Sequence, residues 1–274
     1  MANEALTVLI LTCEKYRDLW KPHLDFLSES WPGCPFRRLL VTDCPTERRF
    51  PEVEIFSAGA GLSVPRRLAS VLPQVGTAYI LLTLDDYFPV FPISTEEIIR
   101  LAEVMEREGL DYIRLFPDPP SRRKLPGHRG LYRVDLQTDY AVNLYPGIWR
   151  RSFLEATLPG PGDIWAYEVS LTHTARRLGA KCAMTRGREF PILDVIRKGR
   201  VLHRAKRFLS RRGIPLEGRE TVPWREELRI FLFNHGKRYL PRPLARWVKR
   251  QLNRLGYRFF TDQYEDSYDR PSAN

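Results

Sequence analysis

Two adjacent carboxylates, Asp85 and Asp86, are the side chains best placed by type and spacing to do chemistry; they stand in the run Leu81-Leu82-Thr83-Leu84-Asp85-Asp86-Tyr87-Phe88. Apart from Thr83 and the Tyr79 hydroxyl, the segment before them is apolar, as expected of a strand buried on both faces. In an open α/β sheet the carboxyl ends of strands border the ligand crevice. Hard carboxylate oxygens there can hold a divalent cation and, through it, a diphosphate. The plainer alternative is a helix cap followed by a solvated acid. Far along the chain, Glu168 closes the run Gly162-Asp163-Ile164-Trp165-Ala166-Tyr167-Glu168. A carboxylate among aromatics can have its pKa raised and act as a general base; otherwise it is an ordinary helix acid beside core rings. A third feature is cationic. Residues 196–212 hold Arg197, Lys198, Arg200, Arg204, Lys206, Arg207, Arg211 and Arg212 with His203 among them, a cluster that could neutralise a diphosphate or rest against anionic lipid.

The elements that must position these groups alternate. Residues 6–12 form an apolar run that predicts a buried strand, and 18–30 have apolar residues at helical spacing, His23 excepted, before Trp31-Pro32-Gly33 stops them. Strands are predicted at 37–42, ending at Asp43, at 53–56, at 79–84 and at 112–116. Helices are predicted at 63–72, with Pro65 in its first turn, and at 94–108, opened by Ser94 and Glu97 and closed by Gly109. This order specifies an α/β domain with a largely parallel sheet. Residues 117–129, rich in proline and basic side chains, read as a mobile surface loop. Alternation over 131–137 predicts a half-exposed strand, and helices follow at 151–158 and 164–178. Beyond Lys198 the chain reads as basic helix, then as a polar tail from 261.

The 274 residues are 43 % apolar and 28 % charged, enough to build a sizeable core and too apolar for disorder. No stretch approaches the roughly 18–20 apolar residues of a membrane span, and the first five residues lack a basic signal-peptide start, so a cytoplasmic chain, in part peripheral at the inner membrane face, is expected. Cys13, Cys34, Cys44 and Cys182 make no CxxC pair and read as free thiols. The formal charge of +11 is concentrated: residues 196–260 hold 19 Lys/Arg against 4 Asp/Glu, whereas residues 1–195 hold 24 against 25. That asymmetry suits an anionic partner. A phosphate-binding GxxxxGK[ST] loop, a GxGxxG turn after a strand, HExxH and GxSxG are all missing, which counts against kinase, dehydrogenase, metalloprotease and serine hydrolase chemistry.

Taken together, the sequence resembles bacterial glycosyltransferases of the GT-A fold, of the kind that build cell-surface polysaccharides. The likeness is carried by Val8 to Cys13 with Lys15-Tyr16, Val41-Thr42-Asp43, Ser63 to Leu68, Tyr79 to Phe88, Asn143 to Arg151, Asp163 to Glu168 and Arg197-Lys198-Gly199-Arg200. It implies a Rossmann-like, mostly parallel mixed sheet flanked by helices in a catalytic domain at 1–213, with a basic helical extension at 214–260 and the tail at 261–274. Thr12 and Asp43 would contact the donor nucleotide, Arg67 its ribose or phosphates, Asp85 and Asp86 the diphosphate, and Lys198 the diphosphate from another side. A divalent cation, Mn²⁺ or Mg²⁺, would sit on Asp86 with His203 as an extra ligand. Glu168 would be the base of an inverting transfer, and Trp149 and Trp165 would offer ring faces to a saccharide or lipid-linked acceptor, unless they are core. The acidic motif is Leu-Asp-Asp where the family has Asp-x-Asp. Residues 240–260, with Trp247 among leucines and arginines, suit a helix lying on an anionic membrane surface. Two rival expectations are a nucleic-acid-binding protein that uses the basic segment, disfavoured for want of a binding motif, and a nucleotide-sugar-binding protein without turnover.

Overall fold

A computed structural model describes residues 5–228 except 217. The extended basic segment at 240–260 and the tail at 261–274 lie outside the described residues.

The apolar run near the N-terminus forms β1 (Thr7–Leu11), which leads through a short 3-10 turn into α1 (Arg17–Ser30). β2 (Arg38–Thr42), β3 (Glu54–Ser57), α2 (Val64–Val71) and β4 (Tyr79–Leu84) complete the first half. The chain continues with β5 (Tyr87–Pro89), α3 (Thr95–Glu108), β6 (Tyr112–Arg114), β7 (Tyr132–Arg133) and β8 (Gly147–Arg150). Last come α4 (Arg151–Thr157), α5 (Ile164–Leu178), β9 (Cys182–Met184), β10 (Ile192–Asp194), β11 (Ile196–Arg197), β12 (Arg200–Val201) and α6 (His203–Arg211).

Eight strands form one mixed sheet in the order β3-β2-β1-β4-β8-β6-β9-β7. Four of its pairings are parallel and three antiparallel, so the mostly parallel α/β sheet expected from the sequence is present. β1 and β4 are central and largely apolar because both of their faces are covered. Side chains alternate between the faces, as strand geometry requires. Val8, Ile10 and Leu81 pack with α1 and α3 on one face. Leu9, Leu11, Ile80 and Leu82 pack with α2, α4 and α5 on the other. A third cluster joins α1 and β5 to α6 through Leu19, Phe26, Phe88, Ala205 and Leu209.

Helix signals read from the sequence have physical counterparts. Ser94 accepts the Glu97 amide at 3.1 Å, and Gly109 ends α3 with φ 61°, a left-handed conformation that glycine adopts without a Cβ penalty. Elsewhere the structure differs. His23, an exception to the helical pattern, lies on the buried face of α1, edge-on to Phe88 at 5.7 Å. The strand expected over 131–137 is reduced to β7, and the residues after it pack through Val134 and Leu136. Segment 117–129 is anchored rather than loose: Leu125 is buried, its amide bonds Leu131 O at 2.9 Å, and His128 meets Glu108 at 2.9 Å. All four cysteines are free. No helix among the described residues is long and apolar enough to cross a membrane.

Candidate active site

The parallel register aligns Leu11 of β1 with Leu84 of β4 and with Val41 of β2. One residue further on, Thr12 and Asp85 therefore leave adjacent strands side by side, with Asp43 just past the end of β2. The Asp85 amide bonds Leu11 O at 3.1 Å and the Thr12 amide bonds Val41 O at 2.9 Å, which fixes the strand ends. The buried Thr12 hydroxyl accepts from Trp20 Nε1 at 2.5 Å and donates to Asp85 Oδ2. Asp43 Oδ1 accepts the Glu14 amide at 2.7 Å. Arg67, from α2, is nearly buried and donates to the Thr12 carbonyl, while its Nε has no partner. Thr12, Asp85 and Arg67 are thus brought together at one strand end.

Asp86 is placed differently. Its carbonyl accepts the Val195 amide at 2.9 Å, and this joins β5 to β10, where Asp194 stands opposite Tyr87. Its Oδ1 is buried without a partner. Burial holds its carboxyl protonated well above the usual range, and the charges of Asp85, Asp194 and Glu168 add to this. Asp85 shifts the same way through burial, opposed by the Thr12 hydroxyl, Arg219 and Arg67. Asp194 is pushed up to about 6 by burial, against Arg197.

Glu168 comes from α5. Asp163 caps that helix by accepting the amides of Trp165 at 3.1 Å and Ala166 at 3.0 Å. The entry turn needs glycine at 160, because a Cβ there would stand 2.8 Å from the Tyr167 ring. Tyr167 in turn meets the Thr157 hydroxyl at 2.9 Å, setting α5 against α4. One turn into α5, Glu168 Oε1 accepts the Leu144 amide at 3.1 Å. Burial raises its pKa, while that amide and Arg197 pull it down. Glu168 is among the charges acting on Asp86, so the glutamate of α5 lies within electrostatic reach of the acidic strand end.

The remaining predicted residues fall in three places. Lys198 and Gly199 make the turn between β11 and β12, with φ 50° and 80°, the positive angles a tight two-residue hairpin demands. His203 opens α6 and its ring is engaged by Glu227 at 2.7 Å. Trp149 requires correction as an acceptor platform: it is 0 % exposed, 4.5 Å from the Tyr112 ring and stacked on Phe153, so it has no free face for a sugar. Trp165 is 45 % exposed at the mouth of α5.

Three groups at the cleft were not singled out in the sequence. Asp194 carries no pattern in Ile192-Leu193-Asp194-Val195 and is placed only by the pairing of β10 with β5. Tyr145 stacks on Phe116 at 4.0 Å and lies 5.1 Å from Tyr87, and the charges of Asp194 and Glu168 raise its pKa further beyond what burial does. Arg219 forks onto Asp18 through two 2.6 Å bonds, reaches Gly199 O and Lys15 O, and lies over the Tyr16 ring at 4.7 Å. Behind the acidic pair, burial lowers the His23 pKa to about 4 and keeps it neutral. Among the described residues no three His, Cys, Asp or Glu side chains gather to hold a metal ion by themselves.

No family model matches this chain, and no curated protein matches it. Solved structures with a similar chain path include Staphylococcus aureus TarS 1-349 in complex with UDP-GlcNAc, at 17 % identity and TM-score 0.49, over 72 % of this chain and 60 % of that one. The mannosyltransferase PcManGT from Pyrobaculum calidifontis, in complex with GDP-Man and Mn²⁺, aligns at 16 % identity and TM-score 0.47, over 71 % and 58 %. The bifunctional IspDF from Campylobacter jejuni aligns at 13 % and 0.42, over 69 % and 52 %. The chain spans about three fifths of the TarS 1-349 length.

Proposed function

We propose that this chain is a GT-A glycosyltransferase that moves a sugar from a nucleotide-sugar to a saccharide or lipid-linked acceptor, with inversion, in cell-surface polysaccharide synthesis. The observation that supports the reading is the acidic pair at the carboxyl end of β4, beside the end of β1, with the charge of Glu168 acting on Asp86. In this reading Thr12 and Asp43 line the nucleotide end, and Arg67 offers its unpartnered Nε to the ribose or a phosphate. Lys198 approaches the diphosphate from its turn. Glu168 removes the proton of the acceptor hydroxyl as that oxygen attacks the anomeric carbon. Its burial lifts its basicity toward neutral pH, and the Leu144 amide holds the carboxylate in place. Acceptor rings meet Trp165 and the Tyr145 edge of the cleft.

The donor set fits a divalent cation. Asp86 offers a buried, unpartnered oxygen among like charges, which hard-cation binding would relieve. Asp86, with Asp85 beside it, would hold Mn²⁺ or Mg²⁺, and His203 would join only on leaving Glu227. When bound, the ion neutralises charge on the departing diphosphate.

A thermal-shift panel of nucleotide-sugars, each with and without Mn²⁺ or Mg²⁺, tests this directly. A ligand that binds only the folded chain raises the melting temperature, by an amount set by its concentration over Kd. At least one nucleotide-sugar should do so, more strongly with the cation. A flat response across the panel would reject the reading, and turnover with an NMR assignment of the product anomer decides inversion.

A further inference from the structure

A second surface of the molecule is organised in a way that sugar transfer does not use. α6 packs Ala205 and Leu209 into the cluster shared with α1 and β5. Arg204, Arg207 and Arg211 recur at spacings of three and four, which places them together on the opposite, exposed side. Other cations of this segment have partners: Lys206 Nζ lies 3.1 Å from the Thr221 hydroxyl, and Arg212 pairs with Glu29. Among the described residues no carboxylate pairs with Arg204, Arg207 or Arg211.

Next to this stripe the chain returns as a helical turn at 224–228. Glu227 fastens it to the start of α6, accepting the His203 amide at 2.9 Å and meeting the His203 ring at 2.7 Å. Trp224 is 62 % exposed and Leu228 46 %, and four residues apart they share one side of the turn. The Arg225 guanidinium lies 5.6 Å from the Trp224 ring centre. The sequence then adds nine Lys/Arg and no Asp/Glu over residues 229–260.

We propose that the outer face of α6 and the 224–228 turn form a docking surface for an anionic lipid leaflet. Unpartnered guanidiniums answer the negative surface potential, while an exposed indole and leucine beside them suit the interface between headgroups and acyl chains. Duplex or single-stranded nucleic acid would answer the cations but leave the Leu228 side chain without a role. The surface stands on residues outside the cleft, and it deepens the transferase reading in one respect: it would bring the cleft to the place where a lipid-linked acceptor resides.

The test is co-sedimentation of the full chain with phosphatidylcholine vesicles and with vesicles containing roughly one-third phosphatidylglycerol, in about 0.1 M and about 0.5 M salt. Binding is expected to the anionic vesicles only, and to weaken at the higher salt. Arg204→Gln, Arg207→Gln and Arg211→Gln combined should weaken it about a hundredfold. The corresponding Arg→Lys triple should restore it, which separates lost charge from lost fold. Trp224→Ser with Leu228→Ser should reduce quenching of tryptophan fluorescence by brominated acyl chains, measured in a Trp247→Phe background. Equal binding to both vesicles, no binding to either, or an unaffected Gln triple would overturn the proposal. So would a duplex or single strand that binds more tightly than the vesicles through the same three arginines. Turnover of a water-soluble acceptor in the absence of vesicles should be the same in the Gln triple and the parent, so a failure here and a failure of the transferase reading are separable.

Discussion

The two walls of the cleft are built on opposite electrostatic terms. On the β1–β4 side, Asp85 is completed from within: the Thr12 hydroxyl donates to it, and Arg67 and Arg219 lie in its field. On the β5–β10 and α5 side, Asp86 faces Asp85, Asp194 and Glu168, and one of its oxygens is buried with no partner. Residues adjacent in sequence thus take different parts, because the strand end turns one carboxyl toward β1 and the other toward β10. On the first wall the Asp85 carboxyl has its hydrogen-bond donor, and Arg67 Nε is left without a partner. The second keeps a buried acid without a partner, its proton held chiefly by burial and further by the neighbouring acids, a pattern that functional sites share.

The largest effect should come from the second wall. Glu168→Gln keeps the shape and the Leu144 contact but cannot take a proton, so turnover should fall by about 10²–10⁴-fold while nucleotide-sugar binding by thermal shift persists. Full activity in this variant would remove Glu168 from the reaction. The first wall should respond in stability instead. Thr12→Val leaves the Trp20 indole N–H and the Asp85 carboxylate without their shared partner. Denaturant unfolding should show a loss of about 1–3 kcal/mol; a loss below about 0.5 kcal/mol would show that this wall is not held as described.

A pH titration separates the walls more finely. Exposed carboxylates release their protons near pH 4. Asp194 holds its proton to about 6 in the folded chain, and burial raises Asp85, Asp86 and Glu168 as well. The folded state therefore binds more protons than the unfolded one above pH 4, so the stability these groups contribute is complete below pH 4 and is lost as pH rises, through about 6 for Asp194 and about 7 for Asp85. Without added cation the melting temperature should fall on the order of 5 °C across this range, and Asp86→Asn should flatten the slope. A steeper slope in that variant would contradict the repulsion assigned to Asp86. The smallest effect concerns the exposed Trp165 ring. Trp165→Ala should raise the KM for the acceptor several-fold while stability stays within about 0.5 kcal/mol, as for other exposed positions.

The first half of the fold was readable because its signals are local and redundant. β1, β2 and β4 are largely apolar runs, and α3 carries both its Ser94 cap and its Gly109 stop. The carboxylates Asp85, Asp86 and Glu168 were readable as residue types at element ends; their convergence was not, since it depends on how α5 lies over the sheet. Asp194 and Arg219 left no trace in the sequence pattern. One is given meaning by a three-residue antiparallel pairing, the other by partners about 200 positions earlier. Trp149 shows the converse: an aromatic beside a motif looks available for ligand, yet β8 is an interior strand covered on both sides.

Arg219 also bears on where the molecule can be shortened. Its guanidinium grips Asp18 and the carbonyls of Lys15 and Gly199, stitching a late segment to the first bend of the chain. The catalytic domain implied by the resemblance ends at residue 213, just ahead of it. Trimming there would remove a cationic neighbour of Asp85 and unclasp the bend that follows β1, so the minimal working unit extends past Arg219.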